Sequence, residues 1–421
     1  MVSGVRILHT SDWHLGRLFH RSSLLDVQAE ALDRIVQIVV EESVDLVLIA
    51  GDLYDRSVPP ADAVELFGAT LVRLREAGAT VVAISGNHDS SVRVGYADPL
   101  LARVGVTVRG DVARSAHPVE VPSTDGGPPV VVYPIPYLDP LTTAHVARSD
   151  RGRDRVSDAL PAPVVDGADS DRGRFTHHDA MVWATDRVRS DLSERAAQGA
   201  PVRSVLVAHT FITGGNPSES ERELTVGQVD QVRMDAFDGF DYVALGHLHQ
   251  GQAFDGGRVA YSGTPLPYSF SEQHHTKAVR LVDLAPDGSL SVRVVPLGVG
   301  RSLRTISGEL EHLLADPSLT DAEGAWVSAT LTDRQLPLQA MARLQQRFPY
   351  AVELRHEPAT PVDASTVRRT SSQVRSAQPL DLTLAFLEEQ RGLPADDAER
   401  QLVADAIGAA RRQLQTARVD R

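Results

Sequence analysis

The stretch that decides the fold is VRILHTSDWH, residues 5–14, in which an apolar run ends in an Asp-x-His pair. Residues 5–9 have the length and apolar composition of a buried strand. Apolar residues at helical spacing follow over 24–44, and a second buried-strand pattern covers 45–50. This strand–helix–strand order predicts parallel strands joined by right-handed crossovers, and therefore an α/β fold with covered sheet faces.

The same alternation continues along the chain. A second amphipathic helix is predicted over 61–77, and further strands are predicted at 80–85, 130–133, 204–208, 242–245 and 259–262. Between 139 and 175 the composition changes to Arg, Asp, Ser, Gly and Pro, which predicts a flexible surface insertion. A helix is expected to resume near His177 and to run to about residue 197.

The C-terminal third predicts a separate organisation. A hairpin pattern covers 278–297, and two strand patterns at 326–331 and 351–355 flank a helical pattern at 338–347. The last forty or so residues are helical with a break at 392–394. We therefore predict four segments, which are a first domain at 1–285 containing the insertion, a small α+β capping domain at 286–363, a linker at 364–379 and a helical tail at 380–421.

Bulk composition excludes several classes of protein. The 421 residues include no cysteine, so disulfides, zinc–thiolate sites and thiol nucleophiles are excluded. The N-terminus has no signal-peptide pattern, and we find no apolar run of membrane-spanning length, so we expect a cytoplasmic protein. The formal net charge of −14 argues against tight DNA binding by this chain alone, although bound divalent cations or a basic partner would offset it.

Five polar segments follow predicted strands, each at the point where the strand ends. Ligands of open α/β sheets gather at the carboxyl ends of the strands, so these segments are expected to meet at one edge. They contain seven candidate metal ligands, which are Asp12, His14, Asp52, Asn87, His209, His247 and His249. Each motif alone is as typical of a polar turn, but their ordered occurrence at five strand ends favours a dinuclear metal site.

The ligand types narrow the choice of metal. Carboxylate, amide oxygen and imidazole without sulfur favour Mn, Fe or Zn over Cu(I) or iron–sulfur clusters. The Asp-x-His and His-x-His spacings place both side chains of a pair on the same side of an extended segment. Asp52 is our candidate for a carboxylate that bridges two cations. The glycines that precede Asp52, Asn87 and His247 are expected to leave room for metals and substrate.

This ordered set resembles the signature of the calcineurin-like metallophosphoesterase family. Finer stretches are similar to the SbcD branch, the nuclease subunits of bacterial SbcCD complexes, namely HTSDWHLG at 9–16, AGDLYD at 50–55 and SGTP at 262–265. The resemblance has specific motifs over roughly residues 5–300 and beyond that depends on layout. It implies a β-sandwich flanked by helices, a small α+β capping domain and a C-terminal helical tail.

The resemblance also implies roles for individual residues. It implies one Mn²⁺ held by Asp12, His14, Asp52 and His249, and a second held by Asp52, Asn87, His209 and His247. His88 would be the acid near the leaving group, because it directly follows ligand Asn87 and is well placed to protonate the departing oxygen. Asp89 would orient His88 or a ligand imidazole. Asp55 stands where many archaeal and eukaryotic relatives have histidine, so we assign it no phosphate-binding role.

The implied activity is hydrolysis of DNA phosphodiester bonds. It comprises 3′-to-5′ double-strand exonuclease and single-strand or hairpin endonuclease activity in DNA end processing, repair, recombination and replication. The implied partners are DNA and an SbcC-like coiled-coil ATPase, with the chain as a homodimer within a heterotetramer and no membrane association. Two alternatives stay open, which are a small-molecule (cyclic nucleotide) phosphodiesterase and a non-catalytic DNA-end tether.

Several other residues have two interpretations. Arg17, Arg21, Arg56 and Arg93 lie on loops beside the ligand segments and are possible contacts to a DNA backbone, although surface arginines are common. Trp13 would either stack on a base or support the metal shell. The pairs 177–178 and 274–275 are histidine pairs for which a metal role is the less favoured interpretation, and His9 is expected to be a packed imidazole or one that supports a metal ligand. The tail either packs on the main body or, as the resemblance implies, docks on the ATPase.

Overall fold

The computed structural model describes residues 4–123, 126–151, 175–221, 231–358, 378–391 and 393–419. The chain divides into two compact units, Met1–Ser302 and Leu303–Arg421. Within the described residues, no helix combines the length and the apolar composition that a membrane crossing requires. Residues 364–377 of the predicted linker and most of the predicted insertion fall outside the described residues. The described beginning of that insertion is helical over Pro140–Arg151.

The first unit alternates strands and helices. Its strands are β1 (Val5–Thr10), β2 (Leu18–Phe19), β3 (Ser22–Ser23), β4 (Leu46–Ile49), β5 (Thr80–Ile84), β6 (Val106–Arg109), β7 (Val119–Val121), β8 (Val130–Pro134), β9 (Arg203–His209), β10 (Tyr242–Gly246), β11 (Gln252–Phe254), β12 (Val259–Tyr261), β13 (Ala278–Leu284) and β14 (Leu290–Pro296). Its helices are α1 (Leu25–Glu41), α2 (Ala61–Glu76), α3 (Ser91–Gly95), α4 (Asp98–Leu101), α5 (Pro140–Arg151) and α6 (His177–Ala197).

Two six-stranded sheets organise this unit. The first has the order β14–β13–β1–β4–β5–β6, in which β1, β4, β5 and β6 are parallel, β13 pairs antiparallel with β1, and β14 pairs antiparallel with β13. The second has the order β11–β12–β10–β9–β8–β7, with β12, β10, β9 and β8 parallel. The parallel strands predicted from the β–α–β pattern are therefore present in both sheets, and the α/β class is confirmed.

The hydrophobic core of the first unit has three layers. Buried side chains from both sheets, such as Ile7, Leu48, Val132 and Val207, form a central cluster, so the sheets face each other as a β-sandwich. The outer face of the first sheet packs against α1 and α2, and the outer face of the second packs against α5 and α6. The central strands, such as β4, β5, β8 and β10, are continuous apolar runs because both of their faces are covered.

The second unit contains a small sheet and helices. Its elements are β15 (Leu303–Gly308), α7 (Leu310–Ala315), β16 (Trp326–Leu331), α8 (Ala340–Arg347), β17 (Ala351–His356), α9 (Pro379–Arg391) and α10 (Asp397–Val419). The three strands are parallel in the order β15–β16–β17, and α7 and α8 cover a cluster that includes Val327, Ala329 and Leu344. The division between the units lies later than the predicted domain start at 286, because β14 pairs with β13 in the first sheet.

Candidate metal centre

The seven predicted ligands lie where five strands end. Asp12 and His14 follow β1, Asp52 follows β4, and Asn87 follows β5, all in the first sheet. His209 ends β9, and the His247 and His249 pair follows β10, in the second sheet. All except the half-buried Asn87 are at least 95% inaccessible to solvent. The edge at which the two sheets meet therefore gathers two carboxylates, one amide and four imidazoles in a buried volume.

Asp52 lies at the middle of this group. Its Oδ2 atom is 3.6 Å from His14 Nε2 and also 3.6 Å from His209 Nε2, although these two histidines belong to different sheets. The same oxygen is 4.0 Å from His88 Nε2. A carboxylate with imidazole nitrogens on two sides is in the position that a bridging ligand needs.

One side of Asp52 is formed by Asp12, His14 and His249, whose ligand atoms lie within 4.8 Å of one another. His14 Nε2 and His249 Nε2 face each other across 3.1 Å. Atoms that ligate one divalent ion at about 2.0–2.2 Å are roughly 3 Å from each other. The spacing of the two imidazoles therefore fits a shared cation.

The other side is formed by Asn87, His209 and His247. Asn87 Oδ1 lies 2.9 Å from His209 Nε2 and 3.3 Å from His247 Nδ1. His209 Nδ1 lies 2.9 Å from the carbonyl oxygen of Ala50. Because Nδ1 donates to that carbonyl, the lone pair of the neutral ring is on Nε2, the atom that faces Asn87 and Asp52.

The protonation states also fit cations. Burial lowers the pKa of His14 and of His247 well below the ordinary value, and it also lowers the pKa of His209. Neutral imidazole is the form that binds metal. Burial and the neighbouring Asp52 charge raise the pKa of Asp12 well above its ordinary value. A divalent cation would relieve this clustering of buried carboxylates, so the residues present fit a dinuclear centre.

The backbone of the site is strained at the ligands themselves. Asp12, His14, Asp52 and His247 have φ values of 54°, 45°, 48° and 110°. Such values cost non-glycine residues on the order of 1–3 kcal/mol each and persist only where the surrounding structure enforces them. The two ligand loops hold each other through Asp12 N–H to Gly51 O and His14 N–H to Asp52 O, both 3.0 Å. These strained backbone conformations therefore occur at the residues whose side chains converge on the proposed metal centre.

Two glycines allow the close approach of these loops, as the sequence predicts. A Cβ atom on Gly86 would lie 2.1 Å from Asp52 Oδ1 and 2.3 Å from the Asp52 backbone nitrogen. A Cβ atom on Gly246 would lie 1.8 Å from the carbonyl oxygen of Ala50. Ala50 and Gly246 belong to different sheets, so any side chain at Gly246 would force the sheets apart at the site.

We expect Gly246→Ala to destabilise the first unit and to weaken metal binding. Overpacking of a rigid backbone contact costs about 1–3 kcal/mol, to be measured as the change in the free energy of unfolding by urea. The control is Gly68→Ala in α2, where a Cβ atom meets nothing within 4 Å. That change should be neutral or stabilising by up to about 1 kcal/mol. Equal stability of Gly246→Ala and the parent chain would contradict the packing described for this edge.

His88 and Asp89 have different positions relative to the centre. His88 Nδ1 lies 2.8 Å from the carbonyl oxygen of Asp55, and the other nitrogen faces Asp52, as given above. The Asp89 carboxylate accepts hydrogen bonds of 2.9–3.0 Å from the backbone N–H groups of Leu53, Tyr54 and Gly86. Asp89 thus braces the loop that carries Asp52, a positioning role that differs from the expected contact with His88 or a ligand imidazole.

The predicted DNA-contact arginines are not equivalent. Arg17 is largely covered, and its Nη1 atom lies 3.4 Å from Asp55 Oδ1. It also donates to the carbonyl oxygen of Ser220 and stacks on the Tyr268 ring. Arg21 and Arg56 are exposed, and exposed Arg93 donates to the carbonyl oxygen of Ser57 at 2.9 Å.

The other aromatic and histidine residues singled out in the sequence either pack in the core or lie beside the metal centre. Trp13 is fully buried, packs edge-on against Phe67 and donates from Nε1 to Thr10 Oγ1 at 3.0 Å, so it supports the ligand loop. His9 is packed between the sheets, with Nδ1 2.9 Å from the Tyr242 hydroxyl. Of the two histidine pairs, His177 is connected to the site, because its Nε2 contacts the Tyr137 hydroxyl and the Tyr137 ring packs against His209.

Sequence reasoning did not identify several residues around the ligands. Tyr137 packs edge-on against His209, and its hydroxyl lies 2.9 Å from His177 Nε2. Asp55, to which the sequence pattern gives no phosphate-binding role, has its Oδ1 atom 3.8 Å from His14 Nδ1. A group comprising Ser220, Glu221, Glu272 and Lys277 surrounds His249. Their spacing along the chain gives no local motif, so the sequence offers no signal for these contacts.

Comparison with known families agrees with this geometry. The calcineurin-like phosphoesterase model matches residues 5–251, more than half of the chain and all seven ligands. The chain belongs to the calcineurin-like phosphoesterase family, whose members bind divalent metals. A second model, the SbcD C-terminal domain, described as the Type 5 capsule protein repressor C-terminal domain, matches residues 299–391. The two matches together confirm the resemblance to SbcD.

Solved structures of low sequence identity are also similar. TT1561 of Thermus thermophilus is 14% identical, with 69% of this chain and 99% of that chain covered and a TM-score of 0.37. A dimetal phosphatase from Danio rerio is 14% identical, with 70% of this chain and 97% of that chain covered and a TM-score of 0.38. GAP50, the anchor in the inner membrane complex of Plasmodium, is 10% identical, with coverage of 85% and 98% and a TM-score of 0.34.

Proposed function

We propose that this chain is the nuclease subunit of a cytoplasmic SbcCD-like complex and that it hydrolyses DNA phosphodiester bonds with two Mn²⁺ ions. The proposed activities are 3′-to-5′ exonuclease action on duplex DNA and endonuclease action on single strands and hairpins, in DNA end processing, repair, recombination and replication. The observation that carries the proposal is the position of Asp52 between His14 and His209.

We assign the seven ligands to two cation positions. Asp12, His14, Asp52 and His249 would hold one cation, and Asp52, Asn87, His209 and His247 would hold the other. Two such cations, when bound, supply an activated water and neutralise charge on the phosphate that is attacked. The chain supplies the buried, pre-formed shell, in which Asp12 is fixed by hydrogen bonds from the Ser11 hydroxyl and the His247 N–H.

His88 is the proposed proton donor. Its Nδ1–H is committed to the Asp55 carbonyl, which fixes the ring and directs Nε2 towards Asp52. The ring is half-buried beside His14, with ring centroids 4.7 Å apart, so Nε2 can reach a substrate at the centre. A proton held on Nε2 would pass to the departing sugar oxygen. Asp89 would act through the loop of Asp52 as a positioning residue.

DNA as the substrate is supported by the second unit. The match over residues 299–391 adds an SbcD-type domain that the hydrolysis of a small ester does not require. The partner we propose for the helical tail is an SbcC-like coiled-coil ATPase. Helices α9 and α10 pack against each other and leave Phe386 and Leu402 exposed by 59% and 71%, which suits docking onto another helical protein.

A nuclease assay on a hairpin duplex tests the proposal. We expect cleavage in Mn²⁺ that chelation abolishes, and greater cleavage when the ATPase partner is co-expressed. Hydrolysis of bis-p-nitrophenyl phosphate or cyclic nucleotides without cleavage of DNA, even with the partner, would instead support a small-molecule phosphodiesterase. Bridging of DNA ends by a metal-free preparation that cuts no ester would support a non-catalytic tether.

A homodimer is supported by an apolar groove on the first unit, which we call the α2–α3 groove. It has a volume of about 990 Å³ and is lined by residues that include Val58, Val72, Val92 and Tyr96. These four side chains are 56–83% exposed although they are apolar or aromatic. Contiguous exposed apolar surface of this kind marks interaction sites, and a two-fold dimer would bury the same groove on both copies.

We expect Val92→Asp to convert the dimer to a monomer. Burying an unpaired carboxylate costs several kcal/mol, so the dissociation constant should rise by about 100-fold or more. The measurement is size-exclusion chromatography with multi-angle light scattering. Leu141→Asp on α5, where the side chain is 76% exposed, is the control and should remain dimeric. A dimeric Val92→Asp protein would exclude the α2–α3 groove as the interface.

A further inference from the structure

His249 is connected to two charged side chains that lie far from it in the sequence. Ser220 Oγ lies 2.5 Å from His249 Nδ1 and 2.5 Å from Glu272 Oε1. The second oxygen of Glu272 accepts a hydrogen bond from Lys277 Nζ. Glu272 is 1% exposed, and the Lys277 side chain is 8% exposed. The four groups therefore form a continuous chain of contacts, buried except at the half-buried Ser220, that ends at a metal ligand.

The direction of each hydrogen bond in this chain is determined. Lys277 can only donate, and a carboxylate can only accept, so Glu272 accepts from both Lys277 and Ser220. A serine hydroxyl has one hydrogen, and Ser220 uses it on Glu272. Ser220 must therefore accept from His249 Nδ1–H. The lone pair of the neutral His249 ring is then on Nε2, which faces His14 Nε2 across 3.1 Å.

We infer that Glu272, acting through Ser220, is a positioning residue that fixes His249 in the tautomer that can bind metal. Further contacts hold the same ligand: Glu221 Oε1 accepts the His249 backbone N–H at 2.7 Å, and Lys277 Nζ donates to the His249 carbonyl at 2.9 Å. Carboxylates that orient a ligand imidazole in this way usually contribute 10- to 100-fold to metal affinity. The inference depends on the proposed metal centre and adds a determinant of its affinity.

The Lys277 ammonium makes Glu272 a permanent acceptor. The two side chains form an ion pair that is almost completely buried, with exposed side-chain fractions of 0% for Glu272 and 8% for Lys277, so a cation stays beside the carboxylate. Lys277 Nζ also donates to Thr264 Oγ1 at 2.7 Å, so its position is fixed independently of Glu272. A neutral amide at position 272 would turn its oxygen towards Lys277 and its N–H towards Ser220. The hydrogen bonds would then run in the opposite direction, and His249 Nδ1 would become an acceptor.

The test is Glu272→Gln in the full-length chain, labelled with nitrogen-15 histidine. In the metal-free wild-type protein, we expect the NMR spectrum of His249 to show hydrogen on Nδ1. In Glu272→Gln, we expect hydrogen on Nε2, together with a 10- to 100-fold loss of Mn²⁺ affinity in calorimetric titration. An unchanged tautomer with unchanged Mn²⁺ affinity would overturn the inference.

Two further variants keep the test decisive. Ser220→Ala removes the connecting hydroxyl but keeps the buried Glu272–Lys277 pair. It therefore tests the same contact to His249 if Glu272→Gln fails to fold. We expect the Mn²⁺ affinity of Ser220→Ala to fall about tenfold. Glu219→Gln makes the same chemical change at an exposed neighbouring residue and should match the wild-type protein. Wild-type Mn²⁺ affinity in a folded Ser220→Ala protein would also overturn the inference.

These measurements separate the inference from the proposed function. The His249 tautomer is observed without metal and the Mn²⁺ affinity without DNA, so neither depends on nuclease activity. A wild-type chain that binds Mn²⁺ but leaves DNA intact would contradict the nuclease proposal alone. The positioning role alone would be contradicted if the wild-type chain cuts DNA and the Glu272→Gln variant keeps both the Nδ1–H tautomer of His249 and the wild-type Mn²⁺ affinity.

Discussion

Asp52→Asn is expected to abolish hydrolysis of DNA, with a loss of at least about a thousandfold in kcat. Metal ions that neutralise charge on a reacting phosphate contribute several kcal/mol, and each 1.36 kcal/mol is a factor of ten in rate. Asp52 Oδ2 faces His14 and His209 at equal distances, so its replacement changes both proposed metal positions. We expect the Mn²⁺ content, measured by plasma mass spectrometry after dialysis, to fall together with the rate.

The control for this variant is Asp62→Asn. Asp62 is an exposed carboxylate at the start of α2, and the same change there should leave both rate and metal content unaltered. Asp52→Asn also keeps the shape of the side chain, so it should fold with a similar melting temperature in the absence of metal. Full activity of a folded Asp52→Asn protein would contradict the bridging role.

His88→Ala is expected to lower kcat by about 10²- to 10⁴-fold while Mn²⁺ content stays at the wild-type level. That range is the usual contribution of a positioned general acid. His88 is adjacent to ligand Asn87 but is not among the seven ligands, and its ring is fixed through the Asp55 carbonyl rather than by a ligand. Removal of the imidazole should therefore affect proton transfer and leave the metal shell in place.

A substrate with a good leaving group tests this assignment specifically. A p-nitrophenyl ester needs no protonation when it departs, so His88→Ala should be much less impaired on that ester than on DNA. His274→Ala, which removes an exposed imidazole, is the matched control and should retain full activity on both substrates. Equal losses on the two substrates, or a loss of bound metal, would contradict the role of His88 as an acid.

The central part of the fold was predictable because its signals are local. The strands before Asp12, Asp52 and Asn87 are apolar runs that end abruptly in polar residues, and both faces of each strand are covered. Such runs are the strongest periodic signal in a sequence. The glycines at Gly86 and Gly246 were also interpretable, since close approach of the backbone to ligands and to a neighbouring strand requires the absence of a side chain.

Other elements lack such signals. The short strands β6 (VTVR) and β7 (VEV) were not predicted, because polar residues interrupt them, whereas the equally short β4 (LVLI) and β12 (VAY) are unbroken runs of apolar and aromatic residues. The strand pattern of β14 was recognised within a hairpin, but the predicted domain start at 286 assigned it to the capping domain. Pairing with β13 across the whole strand assigns it to the first sheet. Hydrogen-bonded partners, rather than composition, determine this boundary.

The residues that hold the ligands were the least predictable part of the site. Glu272 reaches His249 through Ser220, which is 52 residues away from it in the sequence, and no spacing rule connects the two. The expected role of Asp89 illustrates the same limit. Asp89 was expected to orient His88 or a ligand imidazole, whereas the loop geometry directs the Asp89 carboxylate to backbone N–H groups. Ligand identity is encoded locally, but ligand orientation depends on tertiary contacts.

The most direct test of the dinuclear centre is anomalous diffraction at the manganese edge from crystals grown in Mn²⁺. We predict two anomalous peaks about 3.5–4 Å apart, with Asp52 in contact with both, as in other two-metal sites. One peak should lie beside Asp12, His14 and His249, and the other beside Asn87, His209 and His247. A single peak, or two peaks that do not share Asp52, would contradict the proposed dinuclear centre.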